Sequence, residues 1–179
     1  MQRRAIAAGG TVLVATLLFS LVFLFAPPQV TSPVPQSAQP LKNDTDMAPL
    51  VTLPGSNSEI AEPLFVRCDN AGDWESLWQK HAPSVESPKV NFKKCTALGI
   101  FLGKKFNSRG VFVVSTESKD GHCVLRFDEH TFQTAGGSSP CKPFGIILLP
   151  KTNQPIVIEE NVQNIKDSPQ KWKERARLK

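Results

Sequence analysis

The chain has 179 residues and a net charge of +5 that is concentrated at its two ends. Arg3 and Arg4 contribute +2 and residues 166–179 contribute +4, which leaves −1 for the remainder. A near-neutral body of this kind argues against the broad basic surface that nucleic-acid binding requires. The length that follows the first apolar run is enough for one folded domain.

Residues 1–26 comprise a short basic stub and an uncharged apolar run that starts at Ala5 and ends at Ala26. As a helix with a rise of ~1.5 Å per residue, the run would be about 33 Å long, which is enough to cross a bilayer core. Because Arg3 and Arg4 precede it, the positive-inside rule places the N-terminus in the cytoplasm. Ala26 is followed by two prolines and is a poor cleavage site, so we predict an uncleaved signal-anchor. The alternative is a cleaved signal peptide, which would leave the protein secreted.

Residues 27–63 are predicted to be a tether. Proline-rich chain is semi-extended at up to ~3.1 Å per residue, which gives this segment an upper reach on the order of 110 Å. The segment lacks the apolar density to fold alone. Its prolines are Pro27, Pro28, Pro33, Pro35, Pro40, Pro49, Pro54 and Pro63.

The domain predicted for residues 64–165 opens with a strand at 64–68, and a helix follows it. Asn70 or Asp73 can cap the N-terminus of this helix, and Pro83 stops it. Four side chains recur at helical spacing and form one stripe: Trp74, Leu77, Trp78 and His81. We interpret the stripe as the core-facing side of the helix, with a ligand-binding aromatic face as the alternative.

The rest of the domain has the composition of β-strands. The runs at 97–103, 111–115 and 123–128 are β-prone, and Asp120-Gly121 between the last two indicates a hairpin. In the strand after the turn, alternation should bury Cys123, Leu125 and Phe127 and turn Arg126 and Asp128 to the other face.

Residues 144–149 and 155–159 are expected to form a final strand pair that is joined through residues 151–154. These elements predict an α+β domain. Its small, mostly antiparallel sheet would curl into a half-barrel or sandwich, with one helix covering an end.

All four cysteines, Cys68, Cys95, Cys123 and Cys141, follow the apolar run. Outside the cytoplasm, an even number of well-spaced cysteines indicates disulfides, and four cysteines allow three pairings. We favour Cys68–Cys95 with Cys123–Cys141, because each bond closes a short loop and would contribute about 3 kcal/mol. Free thiols are expected if the domain faces the cytoplasm.

The sequence contains no GxSxG, HExxH, P-loop or GxGxxG motif. The three histidines, His81, His122 and His130, lack metal-ligand spacing. His122 adjoins Cys123, but adjacent residues of a strand point to opposite faces and cannot pair as base and nucleophile. We therefore predict no catalytic, cofactor-binding or metal-binding residues, and no cofactor.

Residues 166–179 form a basic tail. Ser168-Pro169 is typical of a helix N-terminus. We interpret the segment as a solvated, frayed tail. The alternative is a tail that binds an anionic membrane or a partner, with Trp172 as its interfacial anchor. The candidate contact residues are Lys171, Trp172, Lys173, Arg175, Arg177 and Lys179.

Several short motifs between residues 74 and 159 occur in a familiar order. They are a W-x-x-L-W helix that ends near a histidine, a Pro-x-Val-Asn-Phe step, a Leu-Gly strand end, a glycine-led strand and a Pro-aromatic pair. The matching residues are Trp74, Leu77, Trp78, His81, Pro88, Val90, Asn91, Phe92, Leu102, Gly103, Gly110 to Val114, Pro143 and Phe144.

This order resembles the C-terminal domain of PrcB-type proteins, which are accessory subunits of secreted bacterial protease complexes. The resemblance covers residues 64–160. Asn91 stands where the family has aspartate, Arg109-Gly110-Val111 stands where it has Gly-Gly-Tyr, and the four cysteines are not part of its pattern. The resemblance implies a non-catalytic subunit that stabilises or helps assemble a protease or another surface complex.

We therefore predict a single-pass protein that residues 5–26 hold in the bacterial cytoplasmic membrane, with its domain in the periplasm or on the cell surface. It would act as an accessory or assembly subunit through contacts with an envelope protein, and the resemblance makes a protease the candidate partner. Neither nucleic acid nor a small-molecule substrate is expected. This function predicts an exposed apolar or edge-strand patch.

Two alternatives predict other features. An envelope glycan-binding module or hydrolase would have a cleft with exposed aromatics or paired carboxylates. A protease inhibitor would present an exposed loop, for which residues 104–110 and 134–140 are the candidates.

Overall fold

The computed structural model describes residues 47–163 and 168–179. The predicted signal-anchor at 1–26 and most of the predicted tether lie outside these residues. Within them, no helix combines the length and the apolar character that crossing a bilayer requires.

One helix and ten strands make up the described part of the chain. They are β1 (Val51–Gly55), β2 (Pro63–Cys68), α1 (Ala71–His81), β3 (Cys95–Leu102), β4 (Lys105–Phe106), β5 (Ser108–Lys119), β6 (His122–Thr131), β7 (Pro140–Cys141), β8 (Phe144–Pro150), β9 (Ile156–Asn161) and β10 (Trp172–Leu178).

The strands form two four-stranded sheets and one short ribbon. Sheet 1 has the order β1-β8-β3-β2, sheet 2 has the order β10-β9-β6-β5, and β4 pairs with β7 in the ribbon. Neighbouring strands are antiparallel, except that β6 and β9 are parallel. The predicted α+β class, with mostly antiparallel strands and one helix, is confirmed, and neither sheet closes on itself.

A hydrophobic core lies between the two sheets, because alternate residues of each strand point to one face. Strand β6 follows the expected pattern: Cys123, Leu125 and Phe127 are fully buried, while Arg126 and Asp128 are only partly buried. The other members of this core are Leu98, Ile100, Leu102, Val111, Ile147, Leu149, Ile156 and Ile158.

Three glycines allow β5 to pack tightly against sheet 1. A Cβ atom built on Gly110 would lie 2.6 Å from the backbone N of Gly55, and one built on Gly145 would lie 2.8 Å from the Cβ of Val111. Gly110 also has a φ of +123°, which L-residues with a side chain rarely adopt. The sequence therefore places glycine where the two sheets meet backbone to backbone.

Helix α1 forms a third layer on the outer face of sheet 1. Asn70 is its N-cap, with the side-chain oxygen accepting from the backbone N–H of Asp73 at 2.9 Å. The predicted stripe is buried, and it packs on Ala97, Phe101 and Ile146. Its interpretation as a core-facing side is confirmed, because all four residues of the stripe are at most 8% exposed: Trp74, Leu77, Trp78 and His81.

His81 lies at the centre of an aromatic cluster and joins the helix to the chain before β2. Its Nδ1 lies 2.9 Å from the hydroxyl of Ser58, and its ring centroid lies 4.3 Å from that of Phe144. Burial lowers the pKa of His81 below the usual value for histidine. The folded state thus favours the neutral imidazole.

The lowered pKa of His81 predicts a loss of stability in mild acid. In the unfolded chain the imidazole takes up a proton near pH ~6.5, whereas in the folded chain it does so only at lower pH. The free energy of unfolding should be fully retained above pH ~6.5 and should decrease as the pH falls from there toward the folded pKa. Urea unfolding at about pH 7.5 and about pH 5 should show a smaller difference for His81→Gln than for the wild type; equal differences would contradict this.

The predicted hairpin at Asp120-Gly121 joins β5 and β6, with φ angles of +51° and +74° at its two turn residues. The predicted pairing of the last two strands is wrong. Strand β8 lies in sheet 1 between β1 and β3, and β9 lies in sheet 2 beside β6. The connection 151–155 therefore crosses from one sheet to the other instead of forming a turn.

Arg67 stabilises this connection between the two sheets. It lies opposite Leu98, so its side chain points between the sheets, and the side chain is only 8% exposed. Its guanidinium donates to the carbonyl oxygens of Thr152 and Gln154 and to the carboxylate of Asp69. A charged side chain can be buried here because carbonyl and carboxylate oxygens replace its water.

Asp69 is the acidic partner of this buried arginine. Burial alone would raise the pKa of Asp69, but hydrogen bonds from Arg67, Lys151 and Thr96 outweigh it and lower the pKa to about 2. The carboxylate consequently stays ionised over the whole physiological range.

Two further segments differ from their predicted conformation. Strand β1 lies within the predicted tether, where Val51 pairs with Leu148 of β8. Strand β10 lies within the predicted tail and pairs with β9, so residues 172–178 are a strand rather than a helix. Strand β10 gains stability by burying apolar side chains, because Ala176 and Leu178 pack against the core between the sheets.

All four cysteines are free thiols in the structure, which does not bear out the predicted disulfides. Cys123 pairs with Ser118 beside the hairpin turn, whereas Cys141 pairs with Lys105 in the ribbon, beyond the other end of β6. A strand of this length spans about 30 Å, too far for a disulfide. Cys68 lies opposite Ala97, which leaves Cys95 diagonal to it at a spacing of about 7–8 Å.

Candidate interaction surfaces

The ribbon of β4 and β7 holds two loops together. Asn107 donates its backbone N–H to the carbonyl of Ser139 at 2.9 Å, and its side-chain oxygen accepts from the N–H of Ser139 at 2.7 Å. The carbonyl of Asn107 also accepts from the N–H of Phe132 at 2.8 Å. The two segments named as candidate inhibitor loops, 104–110 and 134–140, are therefore neighbours.

Two adjoining cavities flank this ribbon, with volumes of about 540 and 490 Å³. We call them together the Phe106 cleft, because Phe106 lines the larger cavity and is 62% exposed. They share the lining residues Asn57, Pro140 and Cys141.

Positive charge predominates in the Phe106 cleft. Its described lining includes four cations, Lys104, Lys105, Lys142 and Arg109, and a single carboxylate, Glu59. The Nζ of Lys142 lies 2.8 Å from Glu59, and the hydrogen bond from Lys142 lowers the pKa of that carboxyl group.

The second surface is on β1, at the end of sheet 1 that α1 does not reach. Val51 and Leu53 pair with Leu148 and Ile146, so they share the face on which α1 packs. We define the β1 apolar patch as Val51 and Leu53, which are 39% and 46% exposed. An apolar surface that continues a buried core is typical of an interaction site.

The candidate contact residues of the C-terminal segment lie on or beside β10. Arg175 forms an ion pair with Glu160, and Arg177 pairs with Glu174 at 3.0 Å. The ring of Trp172 lies 5.4 Å from the guanidinium of Arg126. Half of the predicted contact set is thus engaged within the domain, and Lys171, Lys173 and Lys179 are the remaining exposed cations.

The histidines and cysteines are dispersed. No group of three His, Cys, Asp or Glu side chains within the described residues is suited to hold a metal ion. Nδ1 of His122 contacts the carbonyl of Asp120 at 2.8 Å, and His130 stacks on Phe112 with ring centroids 3.9 Å apart.

The two buried thiols are poor nucleophiles. Burial, together with the nearby carboxylates of Asp73 and Asp69, raises the pKa of Cys68 to about 11. Burial likewise raises the pKa of Cys123, although Arg67 acts in the opposite direction. Since the thiolate is the reactive form, neither group is prepared for covalent catalysis at neutral pH.

Comparison of the chain with protein-family models, with curated proteins and with solved structures finds no match. The resemblance to PrcB-type domains therefore stays a prediction.

Sequence reasoning named the two loops of the Phe106 cleft but not the cleft itself. Its walls combine residues 55–61, 104–109 and 132–142, which only the fold brings together. The available signal was the sequence Lys104-Lys105-Phe106, an aromatic residue beside two cations in a predicted loop.

Proposed function

We propose that this protein is a membrane-anchored, extracytoplasmic accessory or assembly subunit that acts through protein–protein contacts. The observation that carries the proposal is the β1 apolar patch, which is the uncovered end of the helix layer on sheet 1. It is the kind of exposed apolar, edge-strand feature that an interaction subunit requires.

The dimensions of the layers explain why the patch is uncovered. Four strands at a spacing of about 4.8 Å place the outer strands roughly 14 Å apart, whereas a helix is about 10–12 Å wide. Helix α1 packs on residues of β2, β3 and β8, which leaves β1 beyond its reach. An apolar element from a partner could lie beside α1 and complete the layer.

Covering the patch should contribute a substantial free energy of binding for a small contact. Burying a whole Val or Leu side chain is worth about 1.5–3 kcal/mol, so two side chains that are roughly half exposed offer about 2 kcal/mol in total. That amount supports an interface in which these residues form the apolar centre.

The predicted anchor indicates where the protein is located, and the resemblance indicates a class of partner. Residues 5–26 would hold the chain in the bacterial cytoplasmic membrane, and the PrcB-type motif order makes a protease of the envelope the candidate partner. In this proposal the protein uses no cofactor, nucleic acid or small-molecule substrate. A hydrolase would need a second carboxylate in the Phe106 cleft, but Glu59 is the one carboxylate in its described lining, and it is paired with Lys142.

Affinity purification of the full chain from its native membranes tests the proposal. The chain would carry a tag on a linker after Lys179, and mild non-ionic detergent would preserve its complexes. We expect an envelope protein to co-purify in a stoichiometric amount. Val51→Asp combined with Leu53→Asp should reduce its recovery at least about tenfold, because two carboxylates would be buried without partners.

Val85→Asp is the matched control, since Val85 is 56% exposed and lies outside the patch. Recovery of the chain alone would overturn the proposal. So would a partner whose recovery is unaffected by the double substitution, or is reduced equally by the control. Circular dichroism of each variant would verify that the domain is folded.

A further inference from the structure

We propose that the Phe106 cleft binds an acidic peptide segment of a protein partner, with carboxylates on the cations of the cleft and an apolar side chain on Phe106. This site is separate from the β1 apolar patch, and its assignment does not depend on the function proposed for that patch.

The lining of the Phe106 cleft has an excess of positive charge. The chain between Arg4 and residue 166 has a net charge of −1, yet the described lining of the cleft carries +3. Two of the four cations pair with carboxylates, so Lys104 and Arg109 are the ones without an ion-pair partner among the described residues, and an anionic ligand would be attracted to them. The excess therefore specifies a negatively charged occupant.

The cations of the cleft differ in whether they already have a carboxylate partner. Lys105 and Lys142 each have one carboxylate partner, Glu129 at 3.2 Å and Glu59 at 2.8 Å. Lys104 is exposed and has no ion-pair partner among the described residues. Lys104 is consequently the cation best placed to bind a ligand carboxylate.

Arg109 offers a second position for an anion in the adjoining cavity. Its guanidinium lies 5.6 Å from the ring centroid of Phe132, and no carboxylate within the described part of the chain pairs with it. Since Lys104 and Arg109 belong to different cavities of the cleft, the ligand should carry more than one negative charge.

Phe106 is a large apolar side chain that is mostly exposed to solvent. A side chain of this size that is 62% exposed between cations gains most from an apolar contact, which a free inorganic anion does not provide. An acidic peptide supplies both the charges and the apolar contact.

Fluorescence anisotropy of the full chain in non-ionic detergent tests this assignment. The probe is a labelled octapeptide of glutamate and aspartate with one central leucine, and the comparison probes are its glutamine counterpart and dextran sulfate. We expect the acidic peptide to bind with a Kd below about 100 µM, to bind at least about tenfold more tightly than the glutamine peptide, and to bind more weakly as salt increases.

Two substitutions in the cleft should weaken binding of the acidic peptide. Lys104→Glu should raise the Kd at least about tenfold, and Phe106→Ser should raise it about fivefold. Lys119→Glu is the matched control, because it makes the same change in net charge at the hairpin end of β5, where Lys119 is exposed. Its Kd should stay within about twofold of the wild type.

Four outcomes would overturn the assignment. They are no binding of the acidic peptide at about 1 mM, equal binding of the glutamine peptide, binding of dextran sulfate without the acidic peptide, and equal losses in Lys104→Glu and Lys119→Glu. The last outcome would indicate a diffuse electrostatic attraction instead of a site.

Discussion

We expect Gly110→Ala to destabilise the domain by about 4 kcal/mol. The substitution would force a residue with a side chain to adopt a φ of +123°, which is strained. It would also place a Cβ atom 2.6 Å from the backbone N and 2.7 Å from the carbonyl O of Gly55. Because both neighbours are backbone atoms, relief requires β1 and β5 to separate. Urea unfolding followed by circular dichroism measures the change in the free energy of unfolding.

Gly121→Ala separates the two causes. Gly121 also has a positive φ, +74°, but a Cβ atom there would meet no atom within 4 Å. This control should cost only about 1 kcal/mol, because a φ of +74° lies near the left-handed region that alanine can adopt and no contact opposes the new Cβ atom. Equal losses for the two variants would show that the close approach of the sheets at Gly110 contributes nothing to stability.

The second large effect is expected for Arg67→Met, which should destabilise the domain by about 3 kcal/mol. Methionine retains the apolar length of the side chain but removes every donor. The carbonyls of Thr152 and Gln154 lose the guanidinium, and Asp69 keeps only Lys151 and Thr96 as side-chain donors. Removing one member of a buried ion pair is costly because the remaining charge stays desolvated. The loss is moderated here because the side chain of Asp69 is 35% exposed.

The control is Arg177→Met, which removes an ion pair whose two side chains are 48% and 47% exposed. It should change the free energy of unfolding by less than about 1 kcal/mol. The Arg67 variant should also lose part of the acid dependence that Asp69 confers. With a folded pKa of about 2, Asp69 stabilises the wild type above pH ~3.8, and this contribution is lost as the pH falls toward 2. Comparable losses in the two arginine variants would contradict the role assigned to Arg67.

The elements that were predicted correctly are those whose stability is decided within a few residues. The stripe on α1 follows from helical spacing alone, and Asn70 caps the helix through a bond to Asp73, three residues away. The hairpin at Asp120-Gly121 is equally local, since a two-residue turn fixes the pairing of the strands beside it.

The errors concern pairings that no local pattern encodes. The sequence shows two apolar runs on either side of residues 151–154, but the same runs suit a hairpin or a crossing between sheets. The crossing is decided by distant partners: Arg67, more than eighty residues earlier, bonds the carbonyls of Thr152 and Gln154. Strand β1 was missed for a similar reason, because its prolines suggested a tether while its pairing with β8 is non-local.

The tail was mispredicted because its strand pattern is irregular. Register shifts between Glu174 and Ala176 interrupt the alternation that would have revealed β10, and Ser168-Pro169 instead suggested a helix N-terminus. Half of the candidate contact residues consequently interact with other residues of the domain, as Arg175 does in its ion pair with Glu160. The Phe106 cleft could not be predicted because its walls come from three separated segments.

The way in which the chain alternates between the sheets has a consequence for folding. Along the chain, β8 of sheet 1 lies between β6 and β9 of sheet 2, so neither sheet consists of one continuous segment. Residues 132–155, which include β8, separate the parallel strands β6 and β9 along the chain, and such non-local pairings slow folding. Interleaved strands of this kind also resist the release of a single sheet, so the domain should open as one cooperative unit. A partner at the β1 apolar patch would then bind a surface that persists for as long as the whole domain stays folded.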